Sequence, residues 1–472
     1  MNNTQYYLDT FGTSERELER VTSVALSRGG DYCDLYFEYT TYFNLLLRDG
    51  VVSSGGFHTD YGVGIRVLKG EKTGYAYAEN TDFSEMIKAA NAASAIANGV
   101  TDSRAYAKVC DRSLNTYPTA KNWREVSADS FLPFLKLLET KVFQTDNRIV
   151  KVIVRLSDSV SDIMMYNSLG ELTCDSRPMG SVTVSAVFQQ GEKTETSTAS
   201  RSFRMGAELI GDALIGELSA EVVRDIDARF EAVRPKGGQM SVVMGAGASG
   251  ILLHEAMGHA FEADFNRKNQ SIFSDKMGQR VCPAGVNVVD DGTVMYNRGS
   301  GNYDDEGVSG QKTYMVKDGI LTSYLHDRIS AAWYGVAPTG NGRRENFRYN
   351  PIPRMRATYM ESGTAEPEGI ISSVTKGIYV DQFSNGQVKI GEGDFTFFVK
   401  SGYLIENGRL TAPVKDINVI GNGPQALSDI LAVGNDLKID NGTWTCGKEQ
   451  SVPVSCGMPT VLVSSLIVGG DC

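Results

Sequence analysis

Histidine is scarce in this chain, with four in 472 residues, and tryptophan is rarer still at three. No apolar run approaches the roughly 18 residues that a membrane helix needs, so no membrane partner is expected. The opening stretch, MNNTQYYLDTFGTSERELER, has no basic region followed by an apolar core, so we expect no secretory signal. The seven cysteines, at 33, 110, 174, 282, 446, 456 and 472, are odd in number and scattered. That pattern argues against a disulfide framework and for reduced thiols in the cytoplasm, each by default a small buried hydrophobe. Basic residues are outnumbered, and the net charge is −11. Such a field disfavours nucleic acid and anionic membrane as partners.

Glycine, by contrast, is plentiful at 50 residues, which suits a strand-rich, turn-rich chain with close backbone approaches. The length predicts two large domains or about three of ordinary size. Ser14-Glu15-Arg16-Glu17 has the form of a capping box, followed by Leu18, Val21 and Ala25 at helical spacing. DLYFEYTTYFNLLLRDG then reads as two strands, and the next 30 residues as further short strands joined by Gly-rich turns. An Ala-rich helix over 81–98 closes this first α+β region, 1–115, and a polar linker at 111–122 leads out of it. A middle α+β region, 116–235, starts with a helix over 126–145 that Pro133 breaks early or delays. Alternating strand segments follow, two of them joined at Asn167-Ser168-Leu169-Gly170, and a long helix over 205–230 closes the region. The remainder, 236–472, reads as one short helical stretch in a β-rich domain. The fold class is therefore α+β, with antiparallel strands and long helices first and a β-rich domain last.

The two closest histidines lie in that helical stretch: His254-Glu255-Ala256-Met257-Gly258-His259. A pair of histidines beside a glutamate, in a chain this poor in histidine, points to a metal site with its own base. The interval is one residue longer than the familiar His-Glu-x-x-His. On a regular α-helix i and i+5 point about 140° apart. A π-type widening, at roughly 4.4 residues per turn, brings them within about 50°. Gly258 is expected to lower the cost of that distortion. A catalytic zinc needs a third protein ligand and one position for water. Glu262, Asp264, Cys282, His326, Cys446 and Cys456 all have suitable chemistry, and spacing does not separate them. Glu262 and Asp264 are also candidates to accept from ligand N–H groups.

Other patterns carry less. Gly245-x-Gly247-x-x-Gly250 matches a dinucleotide fingerprint, but no second strand ends in an acid about 20 residues on, so a tight strand-to-helix turn is the better reading. Asp304-Asp305-Glu306 reads as an acidic turn. Arg343 and Arg344, after a Gly-rich turn, are candidates to line a substrate cleft. His58 and His326 are isolated, ordinary polar residues.

The segments HEAMGHAFEADFNRKNQSIF, VDDGTVMYNRGSGNYDDEGVSGQ and APTGNGRRENFRYNPIPRMRATYM resemble the TldD/TldE (PmbA-type) peptidases, on the TldD side. So do GYLIENGRLTAPVKDINVIGNG, VGNDLKIDNGTWTCGKEQSVPVSCGMPT and, near the start, GDYCDLYFEYT and YGVGIRVLKGEKTGYAYA. The likeness spans roughly 30–470. It implies zinc, one ion per chain, held by His254, His259 and a late cysteine in a Cys-Gly-Lys segment, Cys446. Cys456, ten residues on, is the other thiol to weigh. The resemblance further implies Glu255 as general base, hydrolysis of peptides or unfolded protein segments, and work as a homodimer or with a TldE-like subunit. Two rival readings are a non-proteolytic zinc-containing peptide-binding or maturation factor, with a closed four-ligand site, and a nucleotide-dependent oxidoreductase built on the glycine turn.

Overall fold

The computed structural model describes residues 4–99, 108–109 and 115–470; Cys110 and Cys472 lie outside them. The first 235 residues build around one seven-stranded, mostly antiparallel sheet. Its main path runs Lys72–Ala78, Val51–Lys69, Tyr32–Arg48, Ile149–Asn167, Glu171–Gln190, Lys108–Val109, and Lys193–Phe203 also pairs with Glu171–Gln190. Tyr32–Arg48, from the first region, thus pairs along its length with Ile149–Asn167, from the middle region.

The strands are longer than their sequence segments predict. Tyr32–Arg48 is one strand of 17 residues, not two, and Val51–Lys69 is one of 19. The glycines read as turns lie inside that second strand because other groups press on it. A Cβ at Gly62 would stand 2.3 Å from the Phe347 ring, and one at Gly64 would stand 2.0 Å from the Tyr75 hydroxyl. Glycine inside a strand marks close approach as readily as a corner.

Helices cover this sheet in two groups. Glu15–Leu26 carries the expected capping box, Ser14 with Glu17, and packs with Phe83–Ser94 over Leu35, Phe37, Val63 and Ile65. Leu132–Phe143 starts where Pro133 fits the first turn, later than the expected 126. The single helix expected over 205–230 is two, Asp212–Val223 and Ile226–Glu231, because Asp225 adopts a left-handed φ of 62° between them. The expected linker is not loose either: Thr116 and Tyr117 are buried, and Thr116 donates to Asn302 of the last region.

The β-rich remainder holds two larger sheets. One has six strands in the order Ile320–Leu321, Lys312–Lys317, Val288–Asp291, Ala357–Met360, Ser455–Met458, Lys438–Ile439. In the other, Lys376–Val388 pairs with both Gly238–Met244 and Asp394–Glu406, so the path through Val461–Val468 and Ile417–Asn422 closes on itself. The histidine segment runs between these sheets, and Leu252, Leu253, Ala256, Met257 and Phe261 are all buried in their shared core. The glycine turn before it is tight as expected: a Cβ at Gly250 would lie 2.5 Å from the backbone of Gly457.

Acidic and basic side chains join the two halves. The turn at Asp304-Asp305-Glu306 is buried, not a solvated corner. Glu306 pairs with Arg66 at 2.7 Å, Arg66 also pairs with Asp34, and Arg177 pairs with both Asp175 and Asp305. Arg66 is fully buried, so removing it leaves the buried Glu306 without an ion-pair partner and Asp34 with only Arg344, at 3.5 Å. Arg66→Met is expected to lower unfolding stability by about 3–5 kcal/mol, read from denaturant midpoints. A midpoint unchanged from wild type would show that this pair does not hold the halves together.

Candidate metal centre

His254–Gly258 forms a single π-helical turn, preceded by the α-helix Gly250–Leu253 and followed by the 3₁₀ turn His259–Phe261. The widening turns the two imidazoles to one side, with ring centroids 5.1 Å apart and planes at 82°. Gly258 keeps an ordinary helical φ of −55°. The position is tight in packing, not unusual in backbone angle: a Cβ there would stand 2.0 Å from the sulfur of Met355, whose side chain would have to shift.

Cys446 meets both rings. Its Sγ lies 3.2 Å from Nε2 of His254 and 3.2 Å from Nε2 of His259. The three candidate donor atoms lie within 4.8 Å of one another, and all three residues are buried. Ordinary zinc bond lengths, about 2.3 Å to sulfur and about 2.0–2.1 Å to nitrogen, put each sulfur–nitrogen edge near roughly 3.5 Å in a tetrahedron. The donor set and its two sulfur–nitrogen edges therefore fit zinc after a small expansion. Nδ1 of His254 has no hydrogen-bond partner among the described residues.

Electrostatics separate the two late cysteines. Burial would raise the Cys446 thiol, but His254 and His259 outweigh it and hold it down to about 4, on the thiolate side that a ligand needs. Burial, with Asp440 and Glu255 nearby, pushes the Cys456 thiol well up instead. Cys456 sits on the strand Ser455–Met458 and Cys282 in a separate buried position; neither joins the donor group. His326 packs between Tyr324 and Tyr334, and burial lowers it to about 4.

Cys446 lies on a strand of the hairpin Thr445–Lys448 and Gln450–Pro453, with Glu449 at a positive φ of 57° at its tip. Two fully or almost fully buried cations hold this hairpin. Arg354 donates to the carbonyls of Cys446 and Gln450, each at 2.7 Å. Lys448 reaches Glu262 at 3.1 Å and Asp264 at 2.8 Å. Glu262 also accepts from Nδ1 of His259 at 2.9 Å and faces Arg354 at 3.8 Å. Burial would raise Glu262, yet Lys448, His259 and Arg354 together lower it to about 2. Glu262 therefore orients His259 as an outer-shell carboxylate does. Asp264 binds Lys448 and not a ligand imidazole. Sequence reasoning missed Lys448 and Arg354; their only signal was proximity to Cys446 and to the arginine-rich segment.

Arg343 and Arg344 are brought near the hairpin but are buried. Arg343 donates to the carbonyls of Met355 and Pro453, and Arg344 to the carbonyl of Asp305. Both line a cavity of about 320 Å³ walled by the hairpin and the N-terminal sheet. A second cavity, about 720 Å³, adjoins it, and the two share Tyr42, Ser159, Met179, Arg298 and Thr445. Glu255, beside the first histidine, is half-buried and makes no ion pair among the described residues.

This arrangement defines a class: a candidate two-histidine, one-cysteine metal centre on a π-turn, with a glutamate next to the first histidine. The chain belongs to the PmbA/TldA metallopeptidase family. Its residues 33–97, 121–229 and 237–470 match that family's domain 1, central domain and C-terminal domain. It is 36% identical to the metalloprotease TldD homolog of Haemophilus influenzae over 97% of this chain and 96% of that one. A zinc metalloprotease TldD homolog of Saccharolobus solfataricus is 31% identical over 61% of this chain and 65% of its own. In fold the chain resembles TldE from Thermococcus kodakarensis, with a TM-score of 0.75 at 17% identity over 96% of this chain and 99% of that one. It also resembles a Thermotoga maritima protein described as a modulator of DNA gyrase, with a TM-score of 0.77 at 23% identity over 96% and 100% of the two chains. No helix among the described residues is long and apolar enough to cross a membrane.

Glu262→Gln removes the charge shared by His259, Lys448 and Arg354. Zinc affinity, measured by competition with a chelator, is expected to fall about 10–100-fold. Equal affinity in the variant would mean that His259 needs no such partner.

Proposed function

We propose that the chain is a zinc peptidase in which His254, His259 and Cys446 hold one ion per chain. The observation that carries this is the meeting of Nε2 of both histidines with the Cys446 sulfur, 3.2 Å from each. Three protein donors leave a fourth position for water, which favours catalysis over a closed structural site. Bound zinc would lower the pKa of water toward neutrality and polarise a carbonyl. The Glu255 carboxylate takes the proton of the attacking water and returns it to the leaving nitrogen. Glu262 holds the His259 ring through Nδ1, and the thiolate of Cys446 would add negative charge beside a bound ion and moderate its Lewis acidity.

The two adjoining cavities form a groove between the N-terminal sheet and the hairpin that carries Cys446. An extended peptide or unfolded segment fits such a groove, with backbone groups supplying most of the affinity. We place the functional boundaries near residues 115 and 235, in line with the three matched family segments. The fold likeness to a TldE structure supports assembly with a TldE-like subunit or with a second copy of this chain. The rival reading, a zinc-containing factor without hydrolysis, would require a fourth protein donor; none joins the group among the described residues.

Glu255→Gln is expected to retain its zinc and to lose about 100-fold or more in cleavage of an unstructured peptide, followed by mass spectrometry. Wild-type cleavage should also stop with a chelator. Undiminished turnover in Glu255→Gln would remove the glutamate from this role.

Asp158 lines the larger cavity, and burial alone raises its carboxyl to about 7 from 3.8. The folded state then binds a proton that the unfolded chain has released, so stability falls as pH rises from about 3.8 to about 7. Asp158→Asn is expected to flatten this part of the stability–pH curve, read from midpoints across the range. An identical slope in the variant would show Asp158 to be solvated.

A further inference from the structure

The smaller cavity has an excess of one charge. Six arginines line it: Arg177, Arg204, Arg298, Arg343, Arg344 and Arg356. Three carboxylates line it too, half as many as the arginines, and only Asp305 among them makes an ion pair with one. Asp305 pairs with Arg177 and accepts from the backbone of Arg344, Glu345 accepts from the backbone of Ser451, and Glu38 accepts from Thr40 and the backbone of Phe347.

Four of the arginines have no carboxylate partner among the described residues. Arg298 donates to the carbonyl of Trp444 at 2.8 Å and to the hydroxyls of Ser202 and Thr445. Arg343 is held by the carbonyls of Met355 and Pro453, and Arg356 by those of Gly340, Gly299 and Tyr303. These neutral acceptors satisfy hydrogen bonds but add no counter-charge; carboxylates act only at longer range, Asp305 on Arg343, Asp290 and Asp304 on Arg356, and Asp175 on Arg204. Arg204 is the extreme case. It is buried, stacks its guanidinium over the Tyr117 ring at 5.5 Å, and its Nε has no acceptor among the described residues.

Burying one cation without a counter-charge costs several kcal/mol, and a group of them repel one another. The repulsion is felt here: burial and Arg356 drive the Arg343 guanidinium down, and burial and Arg204 lower Arg298 to about 10. A fold keeps such a cluster at low cost only if an anion joins it. The cavity volume, about 320 Å³, suits a small ligand or one end of a larger one.

We propose that this cavity is an oxyanion-binding site, taking a carboxylate or phosphate group as the counter-charge to Arg204, Arg298, Arg343 and Arg356. Planar guanidinium groups match both chemistries, because each presents paired N–H donors to two oxygens. The site shares a wall with the Cys446 hairpin, yet its donors are distinct from the metal ligands. It does not depend on zinc or on peptide hydrolysis.

Isothermal titration of the zinc-loaded full chain, at fixed ionic strength, tests this with inorganic phosphate, N-acetylalanine and N-acetylalaninamide. We expect saturable binding of phosphate, of N-acetylalanine or of both, no binding of the amide, and affinity at least about tenfold weaker in Arg204→Gln and Arg298→Gln. Binding of phosphate alone identifies a phosphate ligand, and binding of N-acetylalanine identifies a carboxylate ligand. Circular dichroism selects the folded variants, and either one suffices; if neither folds, discrimination between acid and amide by wild type decides. Binding of neither anion overturns the proposal, as does equal binding of the amide or an affinity unchanged in the folded variants. So does an affinity that disappears on zinc removal, since the anion would then sit on the metal.

Discussion

The buried carboxylate of Glu262 is the contact on which the metal centre depends. It touches a candidate ligand, His259, and both cations that position the hairpin bearing the other, Lys448 and Arg354. Each of these groups is costly to bury alone, and the cost is offset only when all of them meet. The π-turn and the hairpin are almost two hundred residues apart in sequence, so this charge cluster is what makes their encounter specific. Hydrophobic packing brings the helix between the two C-terminal sheets, but packing alone does not choose which face of the hairpin it meets. The arginine and lysine bonds to hairpin carbonyls and carboxylates do choose.

The same logic recurs between the halves of the chain. Arg66 and Arg177 on the N-terminal sheet reach Glu306 and Asp305 on a buried turn of the C-terminal half. These pairs keep the long strands of the sheet beside the Cys446 hairpin, and the space between them becomes the groove. Arginine is thus used in two ways. Where a carboxylate faces it, it joins the halves; where only carbonyls face it, it leaves positive charge on the wall of a cavity.

Much of this was legible in sequence, and the misses have physical causes. The α+β class, the capping box at Ser14 and the β-rich last region follow from local patterning. So does the need for a widened helix, because the interval from His254 to His259 conflicts with regular geometry. The long strands were not legible: Gly62 and Gly64 look like corners until Phe347 and Tyr75 are seen to press on them. Nor was the break at Asp225, since a left-handed aspartate leaves no mark in hydrophobic spacing. Spacing gave two donors and a base, whereas the third donor needed the resemblance. The roles of Lys448 and Arg354 needed the fold, because neither stands at a fixed distance from the histidines. The burial of the Asp304-Asp305-Glu306 turn was not legible either, since the arginines that form ion pairs with it, Arg177 and Arg66, lie 128 or more residues away.

X-ray absorption at the zinc edge, with metal analysis of the same sample, decides whether two imidazoles and one thiolate hold a single zinc. One zinc per chain is expected, with one sulfur near about 2.3 Å and two imidazole nitrogens near about 2.0–2.1 Å, and loss of the sulfur shell in Cys446→Ser but not in Cys456→Ser. A site with no sulfur, or one whose sulfur disappears with Cys456, would overturn the proposed ligand set.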